Sequence, residues 1–196
     1  MYVIIAIIAA GFALFYCSYQ IRLGAYVRSL CRAAGRVVAL TFDDGPDPEQ
    51  TPRVLDTLRA HGVRATFFLI GSKAELHPEI VRRMAAEGHA IGIHTWSHTP
   101  GFPMLRSGAM AADILRCRES LREITGVETD LFRPPSGVTN PAVARRIRRR
   151  LGDGKVILLH DDRPGAERLL AMVLNDLQRG GYRTATVCEL FKTEKP

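Results

Sequence analysis

An apolar strand-like run followed by an amphipathic helix-like run recurs along most of this chain, each pair set off by glycine or proline, and that alternation restricts the fold more than any other feature. Strands that alternate with helices are joined by crossovers and pair in parallel, which gives an α/β architecture. Residues 37–42 form the first apolar run. Thr51 is placed to cap a helix with Pro52 in its first turn, turning Val54, Leu55 and Leu58 inward before Gly62 stops it. A strand over 66–70, a helix over 78–87 ending at Gly88, and a strand over 90–93 repeat the unit. The spacing of Met110, Ala111, Ile114, Leu115, Leu121 and Ile124 predicts a helix over 107–125, and Leu131 and Phe132 belong to a short strand. Two units remain: a helix from Pro141 with a strand over 156–159, and a helix over 166–179 with a strand over 182–187.

Ahead of the first strand, residues 1–19 contain no charged side chain, and Ile4, Ile5, Ile7, Ile8, Phe12, Leu14 and Phe15 make the run long enough to cross a bilayer at about 1.5 Å per residue. Residues 1–20 are expected to be a transmembrane anchor and 21–36 a juxtamembrane linker, leaving 37–196 as the functional domain. The basic start and small-residue cleavage site of a secretory signal are missing. Arg22, Arg28, Arg32 and Arg36 behind the anchor favour a cytoplasmic domain, and the opposite, extracytoplasmic face stays open.

A length of 196 residues, 46% hydrophobic and 24% charged, fits one globular domain with a short appendage. Much of the net charge of +7 comes from arginines between Arg145 and Arg150, without zinc-finger or RNA-binding spacing. A solvated helix face, or a surface against anionic lipid or glycan, is expected in place of nucleic-acid binding. Cys17, Cys31, Cys117 and Cys188 contain no C-x-x-C pair, so buried free thiols are expected. Oligomeric state has no signature in the sequence.

The unusual polar residues fall directly behind strands: Asp43 and Asp44, His94 and His98, Arg133, and His160. Parallel β/α barrels build their sites on that carboxyl-end face. Adjacent aspartates at a strand end point in different directions, so Asp44 can ligate a cation while Asp43 accepts a proton from water; Asp-Asp-Gly-Pro alone also suits a simple turn. His94 and His98, four apart, share a face if they lie on a helical turn, at a separation suited to one ion. One carboxylate and two histidines leave a coordination position for water or substrate, as catalytic zinc sites do. Zinc fits best, and cobalt, nickel or iron is compatible. His160 emerges from an apolar strand and is the candidate general acid, the alternative being a strand-end histidine bonded to backbone. Arg133, stiffened by two following prolines, is placed to hold a carboxylate such as Asp43, unless it is an ordinary surface arginine.

Together, Thr41-Phe42-Asp43-Asp44-Gly45-Pro46, His94-Thr95-Trp96-Ser97-His98, Arg133-Pro134-Pro135-Ser136-Gly137 and Leu158-Leu159-His160 resemble the polysaccharide deacetylases, the carbohydrate esterase group that includes chitin and peptidoglycan deacetylases. The resemblance runs from about Val37 to the end. It implies a distorted, incomplete (β/α) barrel, metal binding by Asp44, His94 and His98, Asp43 as the base restrained by Arg133, and His160 as the acid. It also implies substrate contacts at Pro134, at Leu158 against the acetyl methyl, and at the Ser136 N–H against the oxyanion. The expected activity is removal of N-acetyl, or O-acetyl, groups from a glycan.

One departure stands out. Between the Arg-Pro-Pro and Leu-x-His motifs the family carries a further strand and helix, with an aspartate that orients the acid histidine and a tryptophan that walls the pocket. Here residues 138–159 number 22, whereas a β-α-β unit takes about 30 or more. Two helices look fused, with Val143, Ile147 and Leu151 as one apolar stripe. Asp161 or Asp162 is a possible replacement for the orienting carboxylate. The competing reading is a catalytically impaired, membrane-bound glycan-binding member of the same family.

Overall fold

The structure, a computed structural model, describes residues 36–102, 105–135 and 155–191. These lie within one compact unit, Ala33–Pro196. The expected anchor at 1–20, most of the 21–36 linker, the helix from Pro141 and Ser136 fall outside the described residues.

The centre is β1 (Val37–Asp43), whose Val38, Ala39, Leu40 and Phe42 are fully buried. A strand apolar on both faces must be covered on both, which is the condition of a parallel sheet. β2 (Thr66–Leu69) pairs with residues 41–43 of β1, and β3 (Ala90–Ile93) pairs with β2. β4 (Lys155–His160) pairs with residues 38–43 of β1 and β5 (Arg183–Ala185) with residues 37–39, all in parallel. A strand has two edges, so β2 and β5 lie end to end along the β1 edge opposite β4; the Val187 N–H donates to Thr66 Oγ1 across that junction at 2.9 Å. Beyond β3, Phe132 forms a single parallel bridge with Ile93, in place of the expected short strand. The run Phe132, β3, β2, β1, β4 is the parallel α/β arrangement that the alternation predicts. Among the described residues no strand joins Phe132 to β4.

The helices cover this sheet. α1 (Gln50–Ala60) buries Thr51, Val54, Leu55 and Leu58. Its start differs from expectation: Asp47 Oδ1 accepts the Glu49 and Gln50 N–H groups at 2.9 and 2.8 Å, and Thr51 Oγ1 accepts the Asp47 N–H at 2.8 Å. Asp47, one turn earlier, therefore satisfies free donors at the start of the helix, and Thr51 lies inside it. Next come α2 (Gly71–Leu76), which the sequence pattern did not indicate, and α3 (Pro78–Ala86), which has proline in its first turn and buries Ile80, Val81 and Met84. α4 (Ser107–Thr125) has the expected bounds and ends on Gly126 at φ 70°. Its inward face holds Leu121, Ile114 and Ile124 of the expected stripe together with Cys117 and Ser120, whereas Leu115 of that stripe is 58% exposed. α5 (Ala166–Arg179) buries Leu170, Val173, Leu174 and Leu177.

The last strand is shorter than expected because α6 (Val187–Phe191) begins within it. Thr186 Oγ1 accepts the Glu189 N–H at 3.2 Å and Glu189 Oε2 accepts the Thr186 N–H at 2.8 Å. This is a capping box, and Thr-x-x-Glu is its sequence signature. Cys188 in that helix is exposed, against the expectation of a buried thiol; Cys117 is buried as expected.

Candidate metal centre and active site

Three loops at the carboxyl ends of β1, β3 and the Phe132 bridge, together with the end of β4, carry the candidate residues. The β1–β4 register sets Asp43 directly opposite His160 and Thr41 opposite Leu158. Asp43 ends the strand with an almost fully buried side chain, whereas Asp44 turns into the left-handed region at φ 72°. That reversal separates two adjacent carboxylates and gives each its own surroundings.

Asp44 Oδ1 lies 3.3 Å from His94 Nε2 and 3.1 Å from His98 Nε2. Among the described residues these form the only group of three ligand-type side chains whose donor atoms lie within 4.8 Å of one another. Two bonds of about 2.0–2.1 Å at a tetrahedral angle set ligand atoms roughly 3.3 Å apart, so the separations suit a small divalent ion. His94 Nδ1–H donates to the Arg133 carbonyl at 2.7 Å. This partner fixes the orientation of the ring and turns Nε2 toward Asp44, the usual support of a metal-bound histidine. Burial would raise the Asp44 pKa, but hydrogen bonds from His94 and His98 and their charge hold the carboxyl well below its ordinary range. The same hydrogen bond raises the pKa of His98, against the lowering effect of its burial.

The two histidines do not share the helical turn inferred from their spacing. Thr95 and His98 take φ of 67° and 46°, a loop that brings the rings to 5.0 Å between centroids. Left-handed backbone at non-glycine residues costs on the order of 1–3 kcal/mol each, so surrounding bonds must hold it. Asp113 of α4 accepts the Trp96 and Ser97 N–H groups at 2.9 and 3.2 Å, and Thr95 Oγ1 accepts the His98 N–H at 3.1 Å.

Arg133 Nη1 donates to Asp43 Oδ1 at 2.5 Å and to Thr41 Oγ1 at 2.9 Å, and Thr41 Oγ1 donates to the Ile157 carbonyl at 2.9 Å. The guanidinium carbon sits 4.1 Å over the Phe68 ring. Arg133 is thus a buried-site partner of Asp43, as its position suggested. Burial raises the Asp43 pKa despite the opposing Arg133, His94 and His160 charges. His160 Nε2 comes to 3.5 Å from Asp44 Oδ2. The structure therefore brings together Asp43, Asp44, His94, His98, Arg133 and His160. Leu158, half-buried, stands two residues before His160 on the same strand face, and Pro134 is exposed.

Neither neighbouring aspartate turns to His160 as the replacement carboxylate. Asp161, fully buried, accepts a hydrogen bond from Thr51 Oγ1 at 2.6 Å and presses on Gly45, where an added Cβ would lie 2.3 Å from Asp161 Oδ2. Asp162 pairs with Lys73 at 3.3 Å and with Arg163 at 3.2 Å. Sequence reasoning missed Thr41, Lys73 and Asp113. Of these, Thr41 left a signal, a polar residue inside an apolar strand two positions before Asp43; the other two sit on helices among ordinary surface-type residues.

A sequence profile of the family described as polysaccharide deacetylase matches residues 32–153, a span that includes Asp43, Asp44, His94, His98 and Arg133 and stops before His160. A peptidoglycan-N-acetylglucosamine deacetylase of Bacillus cereus is 49% identical over 100 residues, which are 51% of this chain and 36% of that protein. Another protein of the same description from Bacillus cereus is 33% identical over 191 residues, covering 80% of this chain and 89% of that protein. Since 80% of 196 residues is about 157, roughly 34 of those 191 aligned positions have no counterpart here. The solved structure of the peptidoglycan deacetylase PdaC from Bacillus subtilis superposes with a TM-score of 0.73 at 29% identity, over 86% of this chain and 94% of that one. Against several curated relatives the chain spans only 36% to 40% of their length.

Proposed function

The chain belongs to the polysaccharide deacetylase family, and from that premise we propose that it is a metal-dependent hydrolase removing N-acetyl groups from a peptidoglycan-like or chitin-like glycan, with O-acetyl esters as a second substrate class for the same chemistry. The observation that carries this reading is the convergence of Asp44, His94 and His98 within 4.8 Å, beside a carboxylate restrained by arginine.

Asp44 Oδ1, His94 Nε2 and a ring nitrogen of His98 would hold the ion; zinc suits this donor set best, with cobalt, nickel and iron as alternatives. When bound, such an ion acidifies a water molecule and polarises the acetamide carbonyl. Asp43 accepts a proton from the attacking water. Arg133 occupies Asp43 Oδ1, which leaves Oδ2 for that proton and fixes the direction of the carboxylate. Water oxygen bonds to the carbonyl carbon, the C–N bond breaks, and His160 gives a proton to the departing amine, so the products are acetate and a free amino sugar. Leu158 would pack the acetyl methyl and Pro134 would contact the glycan, while the oxyanion contact that the resemblance assigns to the Ser136 N–H falls outside the described residues.

The test is acetate release from N-acetylated chito-oligosaccharides and peptidoglycan fragments by the metal-loaded full chain. Replacing Asp43 by Asn should lower kcat by about 10²- to 10⁴-fold, the range for loss of a general base. Equal release by the two proteins removes the hydrolase assignment, and oligosaccharide binding without any acetate favours the impaired, glycan-binding alternative. We also propose that residues 1–20 anchor the domain at the membrane, supported by their lack of charge, with the domain on the side of its exported substrate. The full chain should then sediment with membranes and be open to external protease; a chain protected from protease in intact cells contradicts that orientation.

A further inference from the structure

The loops that carry the ligands are tied together through one short stretch, residues 70–73. The Ile70 N–H donates to the Gly45 carbonyl at 3.0 Å, the Gly71 N–H to Thr95 O at 3.0 Å, and the Ser72 N–H to Trp96 O at 3.1 Å. Lys73 reaches back with Nζ to the Asp44 carbonyl at 2.7 Å. Two of these acceptors lie in the turn that presents Asp44, and two in the loop between His94 and His98. The start of α2 therefore sets how far the carboxylate ligand stands from the imidazoles.

Lys73 is the one side chain in that set, and its contact is with the residue that most needs holding. Asp44 is left-handed at φ 72°, and rotation of its peptide would swing the carboxylate away from His94 and His98. A charged donor on the Asp44 carbonyl opposes that rotation more strongly than a neutral one. The second Lys73 contact, 3.3 Å to Asp162, links the same turn to the segment behind His160. Lys73 is about a third exposed, and an ion pair that exposed is worth little by itself. The carbonyl contact is the informative one.

We propose that Lys73 is a positioning residue for the metal centre: its ammonium fixes the Asp44 carbonyl, and with it the left-handed turn that aims the Asp44 carboxylate at His94 and His98. This rests on reading those three side chains as metal ligands. It makes Lys73 neither a ligand nor a catalytic residue.

The experiment is titration of the ion-free full chain with Zn2+ in competition with a chelator, for the wild type, Lys73→Met and Lys73→Arg. Lys73→Met should weaken zinc binding about 10-fold or more, the usual loss for a contact behind a ligand, with the melting midpoint of the ion-free protein unchanged. Lys73→Arg should recover part of the loss, because a guanidinium can still donate to the carbonyl. In the loaded protein kcat should fall while KM for the glycan stays level. Zinc binding by Lys73→Met equal to that of a zinc-binding wild type overturns this inference alone. A matching fall in the ion-free midpoint also overturns it, by marking Lys73 as a general structural contact. If the wild type binds no zinc, the metal-centre reading fails and this inference fails with it.

Discussion

Asp43 and Asp44 are neighbours in sequence with opposite titration shifts, and the difference comes from what each carboxylate touches. Asp44 accepts from two imidazoles that favour its charge, and Asp43 is buried enough that one guanidinium does not offset the loss of water. A third buried acid, Asp161, has its pKa pushed up to about 7, chiefly by burial, against Thr51 and Lys73 lowering it and with Asp162 raising it further. Its folded pKa lies above the ordinary carboxyl value, so folding takes up a proton between pH of about 4 and 7. Stability from this residue is complete below that window and falls as pH rises through it, by roughly 1.4 kcal/mol per unit at most. Replacing Asp161 with Asn should remove that fall, so the melting midpoint of the variant relative to wild type should be more favourable at pH 8 than at pH 5. A difference independent of pH contradicts the assignment.

At the scale of elements, α2 does more for the site than its six residues suggest, and it was illegible in the sequence. A helix that short shows no full apolar stripe, Gly71 at its start argues against helix, and apart from Lys73 its contacts to the two loops are made by main-chain N–H groups that leave no side-chain signature. The longer elements were legible because their stripes and stops are long enough to read: the bounds of β3, α4 and α5 match expectation. The histidine loop shows the opposite failure, since four-residue spacing fits a helical turn and also fits the left-handed loop observed. Gly71 offers a direct test. A Cβ there would lie 2.6 Å from Trp96 Cδ1 and 3.1 Å from Cys117 Cα. Trp96 has little room to yield, because its Nε1–H donates to Glu75 at 2.8 Å and Arg116 stacks 3.3 Å over its ring. Gly71→Ala should destabilise the fold by about 1–3 kcal/mol, as overpacking does, and weaken zinc binding as the two loops separate. Denaturant midpoints and zinc titration check this; a variant as stable and as tight-binding as wild type contradicts it.

For the whole molecule, the parallel sheet gathers residues up to 117 positions apart, Asp43 and His160, into one pair at the strand ends. That much was readable because apolar runs ended in polar residues at each carboxyl end, and a parallel sheet sends all those ends to one face. Contacts made through backbone carbonyls, such as His94 to Arg133 and Lys73 to Asp44, could not be read, since every residue has a carbonyl. The alignment with the Bacillus cereus relative leaves roughly 34 positions without a counterpart, about the size of one β-α-β unit, and the six central side chains assemble among the described residues. The central claim is that Asp44, His94 and His98 share one ion, and calorimetric titration of the ion-free full chain with Zn2+ tests it most directly. The expected result is one ion per chain, with affinity reduced more than about 100-fold in both Asp44→Ala and His94→Ala, beyond the loss from an outer contact. Tight one-to-one binding that persists when all three residues are replaced by alanine would contradict it.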